Sequence, residues 1–427
     1  MKQLAIVHAS HDGITTHHCG VGTMVHEHLV ALKWILESSS GLDFSVYAVT
    51  LDFQNSTSNH EGFTEFTSKL CRESNGKLLS CGPPIQERWP SPEKWHDCSN
   101  DLSGILADIS CKYERVLAFC HDGPFSYSVV ERYPDNVFVY WIPHSTSKTN
   151  VYDEKGTGIS QIEAEVIKGV YQSSAKIVCI SPYMRQHLLS EYEASPSSLI
   201  DVENGLSMFN FRHEESLSPQ VIFMSGRCAP YKRMLEVLEA FRLVRQQLTS
   251  FQLVLHAIPD MCHKDYYREV IAVAKAQSGV TTYSDFSTGL PAQYYSHKSC
   301  TIALSAARSE PFGLAPLEAR ASGLSTGPLI LVPDEGGLAC QVTDSVDGYR
   351  FPATSGPGEM ANVMIHAICR THEERKELVR NGRYRAIKRN WLLPNIVPLL
   401  NVGRFYDQLA VAIDAKRREY IATINRQ

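Results

Sequence analysis

The stretch TIALSAARSEPFGLAPLEARASG, residues 301–323, decides the fold. Its first seven residues are small or apolar and predict a buried strand. Phe312, Gly313 and Leu314 then turn the chain, and Pro316 suits the first turn of a helix, where a missing N–H costs nothing. A buried strand that leads through a turn into a helix is the building unit of a parallel sheet covered by helices.

The same alternation of short apolar runs and longer amphipathic stretches continues along the chain. The predicted strands of the first half are Leu4–His8, Phe44–Leu51, Val116–Cys120, Val137–Ile142 and Ile177–Ser181. Those of the second half are Val221–Ser225, Phe251–His256, Val280–Ser284, Thr301–Ser305 and Leu329–Val332. The predicted helices include Thr23–Glu37, Glu163–Gln172, Met234–Gln247 and Asp265–Gln277. This order predicts an α/β protein with two doubly wound, Rossmann-like domains.

A polar segment with glycine and proline, residues 203–220, separates the two groups of strands and reads as a linker. We therefore expect an N-terminal domain over residues 1–205 and a C-terminal domain over residues 206–400, with a helix in residues 401–427. Ligands of doubly wound sheets bind beyond the carboxyl ends of the strands, so two such domains are expected to face a cleft that holds the ligand.

Composition narrows the function classes. The chain has 427 residues and a formal net charge of -5, which gives no electrostatic reason to expect nucleic acid as a partner. Its 12 cysteines form no CxxC pair, so neither a zinc site nor a disulfide framework is indicated. No apolar run approaches the ~20 residues that a transmembrane helix needs. These features predict a cytoplasmic protein with reduced thiols, and they carry no signal for its oligomeric state.

Two carboxylates flank the turn of the deciding stretch. The amides of Gly313, Leu314 and Ala315 are expected to be donors at a helix N-terminus, which favours phosphate. Glu310 and Glu318 would repel that phosphate, so hydroxyl groups of a sugar or ribose are their natural partners. The alternative is that Glu318 complements the helix dipole and Glu310 is a solvated loop residue.

Two cations follow the first strand of the second domain. The segment VIFMSGRCAPYKRM places Arg227 and Lys232 at a strand-to-helix junction. The planar fork of arginine and the compact charge of lysine together suit a diphosphate. The alternative is that both are ordinary surface charges, with Lys232 and Arg233 at a solvated helix start.

These segments resemble a known family. The pieces SGRxxxYK at 225–232, ENG at 203–205, SEPFGLxxLEAxASG at 309–323 and EGG at 335–337 are similar to those of retaining, GT-B-fold glycosyltransferases of family 4. The resemblance implies a nucleotide-diphosphate sugar, such as a UDP- or GDP-sugar, as donor, with no other cofactor. It also implies a small-molecule or glycan acceptor, and a terminal helix in 401–427 that crosses back to the first domain.

Roles for single residues follow from the resemblance. Arg227 and Lys232 match the residues that bind the donor diphosphate, and Glu318 matches the one that contacts the ribose. Glu310 and the backbone of Phe312, Gly313 and Leu314 match the contacts to the donor sugar.

The first domain is matched more sparsely. Gly22, in a Gly-x-Gly pair before the first helix, is predicted to let the backbone approach the donor. A histidine that matches His144 lies near the reacting sugar in the family, and His121 and Asp122 resemble a pair near the acceptor. The alternative for either histidine is a structural role. The catalytic set implied is therefore His144, Glu310, Arg227 and Lys232.

A metal site is not expected, although histidines are frequent near the N-terminus: His8, His11, His17, His18, His26 and His28. The two histidines of the HEH segment lie two residues apart and point to different faces of a helix. The sequence has no Asp-x-Asp motif, so transfer without a metal is predicted. Retention is implied by the family alone, since an inverting enzyme could use Asp12, His17 or His121 as its base.

Two departures from the family pattern leave the donor open. The strand Phe251–His256 ends in HAIPD, where many relatives place a glycine-rich turn, and Ala-Ala-Arg precedes Ser309 where relatives often show Pro-Ser. Two other classes of protein remain possible on the sequence. A nucleotide-sugar epimerase, which is an isomerase, would need no acceptor, and a non-catalytic nucleotide-sugar-binding protein would transfer nothing.

Overall fold

The computed structural model divides into two compact units. It describes residues 2–17, 19–38, 44–54, 60–85, 90–149, 156–170, 175–211, 221–260, 262–285, 289–297, 299–323, 325–400 and 406–426. The first unit comprises Met1–Ser207 and Leu392–Asp414, and the second comprises Met208–Trp391 and Ala415–Gln427. The division after Ser207 falls inside the segment predicted as a linker, of which residues 212–220 lie outside the described residues.

The first unit is a parallel sheet of seven strands. The strands are β1 (Lys2–Ala9), β2 (Phe44–Phe53), β3 (Leu78–Ile85), β4 (Tyr113–His121), β5 (Val137–Ile142), β6 (Lys176–Cys179) and β7 (Leu199–Asp201). Its helices are α1 (Gly20–Ser38), α2 (Glu61–Glu73), α3 (Trp95–Ser110), α4 (Gly156–Val170), α5 (Pro182–Glu191) and α13 (Leu392–Leu400). The strand order is β3-β2-β1-β4-β5-β6-β7, with every neighbouring pair parallel.

The second unit repeats this plan with six parallel strands. They are β8 (Val221–Cys228), β9 (Gln252–Pro259), β10 (Val280–Tyr283), β11 (Cys300–Leu304), β12 (Leu329–Pro333) and β13 (Tyr349–Phe351), in the order β10-β9-β8-β11-β12-β13. The helices are α6 (Met234–Gln247), α7 (Lys264–Ala276), α8 (Gly289–Tyr295), α9 (Ala315–Ser322), α10 (Gly336–Gln341), α11 (Pro357–Ile368) and α12 (His372–Arg389). The prediction of two Rossmann-like domains with parallel sheets is confirmed.

The C-terminal segment is divided between the units. Helix α13 was predicted in the second domain but groups with the first unit, because its apolar residues are buried there and Leu392 N donates to Leu206 O at 3.0 Å. The last helix, α14 (Tyr406–Arg426), has its first nine residues in the first unit and the remainder in the second. Residues 401–405, where the terminal helix was expected to begin, lie outside the described residues.

Three strands were not predicted from the sequence because they are short or irregular. β3 contains Gly82, Pro83 and Pro84, and β7 and β13 have three residues each. The central strands read as continuous apolar runs because both faces of each sheet are covered, as the fully enclosed run Ala5–Val7 in β1 illustrates. No helix among the described residues combines the length and apolar character required to cross a membrane.

Candidate active site

The first unit carries a loop organised by Asp12, between β1 and α1. The buried Asp12 carboxylate accepts hydrogen bonds from Gly13 N at 3.0 Å, Thr16 Oγ1 at 3.2 Å and Cys19 N at 3.0 Å. Because Cys19 directly precedes α1, this carboxylate lies over the first turn of the helix. Asp12, an alternative base on the sequence, is therefore the group that holds this loop together.

Gly22 lies in the first turn of α1, and its lack of a side chain has a reason within the protein. A Cβ atom at this position would lie 2.6 Å from Asp12 Oδ2. Position 22 therefore needs glycine because its backbone lies against the Asp12 carboxylate. The predicted contact between Gly22 and a donor stays a prediction.

Three histidine rings form a buried chain at the carboxyl ends of β1, β4 and β5. His8 Nδ1 lies 3.0 Å from His121 Nε2, and His121 Nδ1 lies 3.0 Å from His144 Nε2. His121 is fully buried and both of its ring nitrogens have a partner. The sequence placed His121 at the acceptor, but its ring offers that ligand no nitrogen unless a present bond breaks.

Burial keeps these rings neutral. It is the main cause that lowers the pKa of His8 and His121 well below the ordinary value and lowers that of His144 to about 3, with neighbouring histidines adding to the effect. His28, from α1, packs edge-on against His8 with ring centroids 5.4 Å apart. Burial lowers its pKa to about 4.

Asp122 follows His121 and adopts an unusual backbone conformation. Its φ of 64° lies in the left-handed region, which non-glycine residues seldom occupy. The backbone holds this conformation through two bonds: Asp122 N donates to Ile142 O at 3.0 Å, and its carbonyl accepts from Trp141 Nε1 at 3.1 Å. Such strain at a strand end is common at functional sites.

The second unit places its predicted site residues on the loops that follow β8, β11 and β12. Arg227 is the penultimate residue of β8, and its guanidinium is about half exposed. It donates to Tyr231 Oη at 2.8 Å and lies 3.7 Å from the Asp260 carboxylate. Asp260 belongs to the HAIPD segment, so this departure from the family pattern puts a negative charge beside Arg227.

Lys232 ends a single 3-10 turn, Pro230–Lys232, between β8 and α6. Its ammonium group forms an ion pair and hydrogen bond with Glu310 Oε2. Burial acts to lower the pKa of Lys232, but the negative charge of Glu310 and the nearby Tyr231 outweigh it and raise that pKa. Lys232 is thus cationic, and Glu310 is bound to it instead of being a solvated loop residue.

Arg233 has a structural role that the sequence did not reveal. The residue is buried, with a φ of 59°, and its guanidinium donates to the carbonyls of Ala353, at 3.0 Å, and Ser355, at 2.6 Å. The alternative of a solvated helix start at Lys232 and Arg233 is therefore wrong for Arg233. Anchoring this residue fixes the end of the turn that carries Lys232.

The turn before α9 is shaped by glycines packed against each other. Gly313 has a φ of 81°, and a Cβ atom there would lie 2.5 Å from Leu338 Cδ2. A Cβ on Gly337, in the EGG segment, would lie 2.2 Å from Pro311 O. Gly337 N also donates to Glu310 O at 2.6 Å, so the loops after β11 and β12 pack backbone to backbone.

Helix α9 begins at Ala315, with Pro316 in its first turn as predicted. Within the part of the chain that the structure describes, the amides of Gly313, Leu314 and Ala315 donate to no acceptor. Phe312 is buried, and its carbonyl accepts from Gln341 Nε2 at 2.6 Å. Three amides at a helix N-terminus, on the loop that carries Glu310, are suited to bind an anion.

Glu318 lies in the first turn of α9 and is partly exposed. Its charge adds to burial in raising the pKa of Tyr295 well above the ordinary value, so the carboxylate lies close to that buried phenol. The structure thus joins Lys232 directly to Glu310. It places Glu318 on the helix that follows the Glu310 loop.

Sequence reasoning missed three residues of this site. Tyr231 lies between the two cations, with its ring centroid 5.1 Å from Lys232 Nζ. Asp260 faces Arg227, and Glu335 Oε1 accepts from Ser309 N at 2.9 Å. Tyr231 and Glu335 lie inside the quoted SGRxxxYK and EGG pieces, and Asp260 lies inside the HAIPD segment that departs from the family pattern, so each had a usable signal.

Comparison with known proteins finds a family model that this region matches. Residues 209–385 match the family of glycosyl transferases group 1. Arg227, Lys232, Glu310 and Glu318 all lie inside this range. A search of curated protein sequences finds no match.

Solved glycosyltransferase structures share the fold over nearly the whole chain. A sucrose-phosphate synthase from Thermosynechococcus elongatus is 16% identical, with a TM-score of 0.70 over 96% of this chain and 100% of that one. A TarM variant from S. aureus is 12% identical, with a TM-score of 0.66 over 94% and 99%. HepE from Anabaena is 13% identical, with a TM-score of 0.63 over 93% and 98%.

Proposed function

We propose that this protein is a retaining glycosyltransferase that moves a sugar from a nucleotide-diphosphate donor to a hydroxyl group of a small-molecule or glycan acceptor. The match to the group 1 family supports the reaction class. The observation that carries the proposal is the pairing of Lys232 with Glu310 on the loop whose three amides before α9 donate to no acceptor in the described ranges. One site thereby offers donors for phosphate and an acceptor for sugar hydroxyls.

The reaction first requires that the leaving diphosphate be stabilised. Negative charge grows on its outer phosphate as the bond to the sugar breaks. Arg227, Lys232 and the amides of residues 313–315 are fixed donors that can meet this charge without a metal. Preorganised donors of this kind contribute about 3–4 kcal/mol each in comparable sites.

The second requirement is to hold the hydroxyl groups of the donor, and we assign it to the two carboxylates. Glu310 is proposed to accept hydrogen bonds from donor-sugar hydroxyls and Glu318 from the ribose. In the structure Glu310 neutralises Lys232, so binding of a diphosphate places a second anion beside this lysine. We expect the sugar to draw Glu310 towards its hydroxyls while the phosphate takes over the ammonium group.

The first unit contributes His144 and Asp122 to the proposed sugar and acceptor contacts. His144 follows β5, and its ring is held by His121. Since the ring nitrogens of His121 are both engaged, we assign His121 a supporting role. HepE has been solved with UDP and glucose and the TarM variant with UDP, so UDP-glucose is the first donor to test.

The donor site is tested with a panel of nucleotide sugars in a thermal-shift assay, since a ligand that binds the folded state raises its melting temperature. The Arg227→Ala, Lys232→Ala double variant should lose the shift and the turnover. A matched control with the same change in charge, Lys264→Ala with Arg268→Ala on exposed positions of α7, should keep both. Survival of donor affinity in the first variant would show that the diphosphate binds elsewhere.

Product analysis separates the proposed reaction from its alternatives. An NMR measurement of the anomeric configuration should show the same configuration in donor and product, and an inverted linkage would contradict retention. Release of free nucleotide with an altered sugar and no acceptor would indicate an epimerase. Donor binding without any turnover would indicate a binding protein. In that case Glu310→Ala should affect donor binding alone.

A further inference from the structure

The rings of His8, His121 and His144 lie end to end. In each neighbouring pair the facing nitrogens are 3.0 Å apart while the ring centroids are 5.3 Å apart. The planes differ by only 25° and 12°. The ring centroids are much farther apart than the nitrogens, so the two nitrogens of each pair must lie on the line between the centroids. The rings are therefore nearly coplanar, and their nitrogens face each other. Each nitrogen therefore aims its proton or lone pair directly at its neighbour.

The proton count of the middle ring links the three tautomers. Each of the two contacts needs one proton between its nitrogens, and neutral His121 has a single N–H. Donation at both nitrogens would make His121 an imidazolium ion, which full burial disfavours. His121 therefore donates on one side and accepts on the other. All three N–H groups must point the same way along the chain.

The inner end of the chain selects the direction. His8 Nε2 is enclosed and has no hydrogen-bond partner among the residues that the structure describes. If the N–H groups pointed inwards, His8 would bury an unpaired N–H. If they point outwards, it buries only an unpaired lone pair, and enclosed N–H groups without a partner are the rarer kind in proteins. The outward direction places the protons on Nδ1 of all three rings.

The outer end is His144 Nδ1. This nitrogen has no partner among the described residues and is not among the enclosed polar atoms, so its surface is accessible. In the outward direction it carries a hydrogen atom and has no lone pair to offer. A ring in this state can donate to a sugar hydroxyl but cannot take a proton from one.

We propose that His8 and His121 are positioning residues that hold His144 in the Nδ1–H tautomer, so that His144 acts as a hydrogen-bond donor and not as a general base. The inference rests on the proposed function for the identity of the ligand, a sugar hydroxyl. The tautomer itself does not depend on that function. Retaining transfer, in which the leaving phosphate accepts the acceptor's proton, needs no base at His144.

A metal ion is the other occupant that this cluster suggests. His8, His28 and His121 each have a ring nitrogen within 4.8 Å of the others. The bonds of His121 speak against it, because a metal ligand must aim a lone pair at the ion and both nitrogens of His121 already face His8 and His144. A metal would require His121 to turn and would break the chain.

The test reads the tautomer directly. Histidine labelled with 15N in the ring is incorporated into the full-length protein, and two-bond 1H–15N correlations at pH 7.5 show which nitrogen of each ring is protonated. His144→Gln assigns the His144 signals. We expect a pyrrole-like shift at His144 Nδ1 and a pyridine-like shift at Nε2, opposite to free neutral histidine.

Variants of His8 test the positioning role. His8→Asp places a carboxylate oxygen, which can only accept, at the Nδ1 position, so His121 should donate from Nε2 and accept at Nδ1, and His144 should change to the Nε2–H tautomer. His8→Asn can keep an N–H donor at the same position and should keep the original tautomer. His28→Phe, next to the chain but outside it, is the matched control and should leave the tautomer as it is. Circular dichroism checks that each variant is folded.

Three results would overturn the proposal. They are an Nε2–H tautomer of His144 in the unmodified protein, no change on His8→Asp in a folded protein, and stoichiometric binding of Zn²⁺ that shifts the signals of His8 and His121. Kinetics provide a separate readout: kcat should fall more in His8→Asp than in His8→Asn. Absence of any transferase activity, with the predicted tautomer present, would contradict the proposed function and leave this inference intact.

Discussion

The buried histidines of the first unit predict how the stability of the fold depends on pH. His28 is enclosed and its pKa is lowered from 6.5 to about 4 by burial. The unfolded chain therefore binds a proton, as the pH falls below 6.5, that the folded chain does not bind. Stability conferred by the neutral ring is fully present above pH 6.5 and is lost as the pH falls from 6.5 towards 4.

The magnitude follows from these two pKa values. Between pH 7.5 and pH 5.5 the unfolded chain takes up about one proton at this residue and the folded chain takes up almost none. One proton over one pH unit corresponds to about 1.3 kcal/mol of unfolding free energy. His28→Phe, which keeps a ring in contact with His8 and Phe119, should reduce the pH dependence of stability by this amount.

The assay is urea unfolding at pH 7.5, 6.5 and 5.5, followed by the fluorescence of Trp95 and Trp141, which are buried in the first unit. Comparing the change with pH, and not the stability at one pH, removes the packing cost of the substitution. Other titrating groups such as Glu27 and Glu163, whose pKa values burial raises, act equally in both proteins. The exposed His96 provides the control His96→Phe, and equal pH dependence of the His28→Phe variant and the unmodified protein would refute the reasoning.

Three further predictions concern the loops of the two units. Glu310→Gln removes the anion that neutralises Lys232, so UDP should bind roughly tenfold more tightly (about 1.4 kcal/mol), while the rate of sugar transfer should fall. Weaker UDP binding measured by calorimetry would contradict this. Gly337→Ala places a Cβ against Pro311 O and should lower the stability of the protein by about 1–3 kcal/mol. It should also abolish the donor-induced thermal shift. An unchanged melting curve would argue against the packing described. Asp12→Asn should lower stability by about 1–3 kcal/mol through weakened charge-assisted bonds to its loop, whereas a loss of kcat with unchanged stability would indicate a catalytic base.

The architecture was predictable because each central strand is buried on both faces. Leu329–Val332, for example, is a continuous apolar run that is buried throughout, and the turn at Gly313 marks where a strand ends and a helix follows. Residues 392–400 were assigned to the second domain because a strongly apolar sequence shows that a segment is buried but does not show against which sheet.

The candidate site was predictable where chemistry and spacing coincide. Lys232 and Glu310 lie 78 positions apart, yet both follow strands whose carboxyl ends meet at one edge, and the structure joins them. The histidine chain could not be predicted, since no local pattern shows that rings at positions 8, 121 and 144 lie in line. Arg233 was misread for a similar reason: its backbone acceptors are about 120 residues away.

The Asp12 carboxylate gives the two similar sheets different binding capacities. In the first unit the opening turn of α1 already holds a negative group belonging to the chain itself. A tethered group of this kind competes at an effective concentration of roughly millimolar or more, so a free phosphate is at a disadvantage there. The corresponding turn before α9 contains no such tethered anion on its amides, within the described residues. Of these two turns, as far as the structure describes them, only the one before α9 leaves its amides to a phosphate, so the proposed nucleotide sugar is expected to place its diphosphate there.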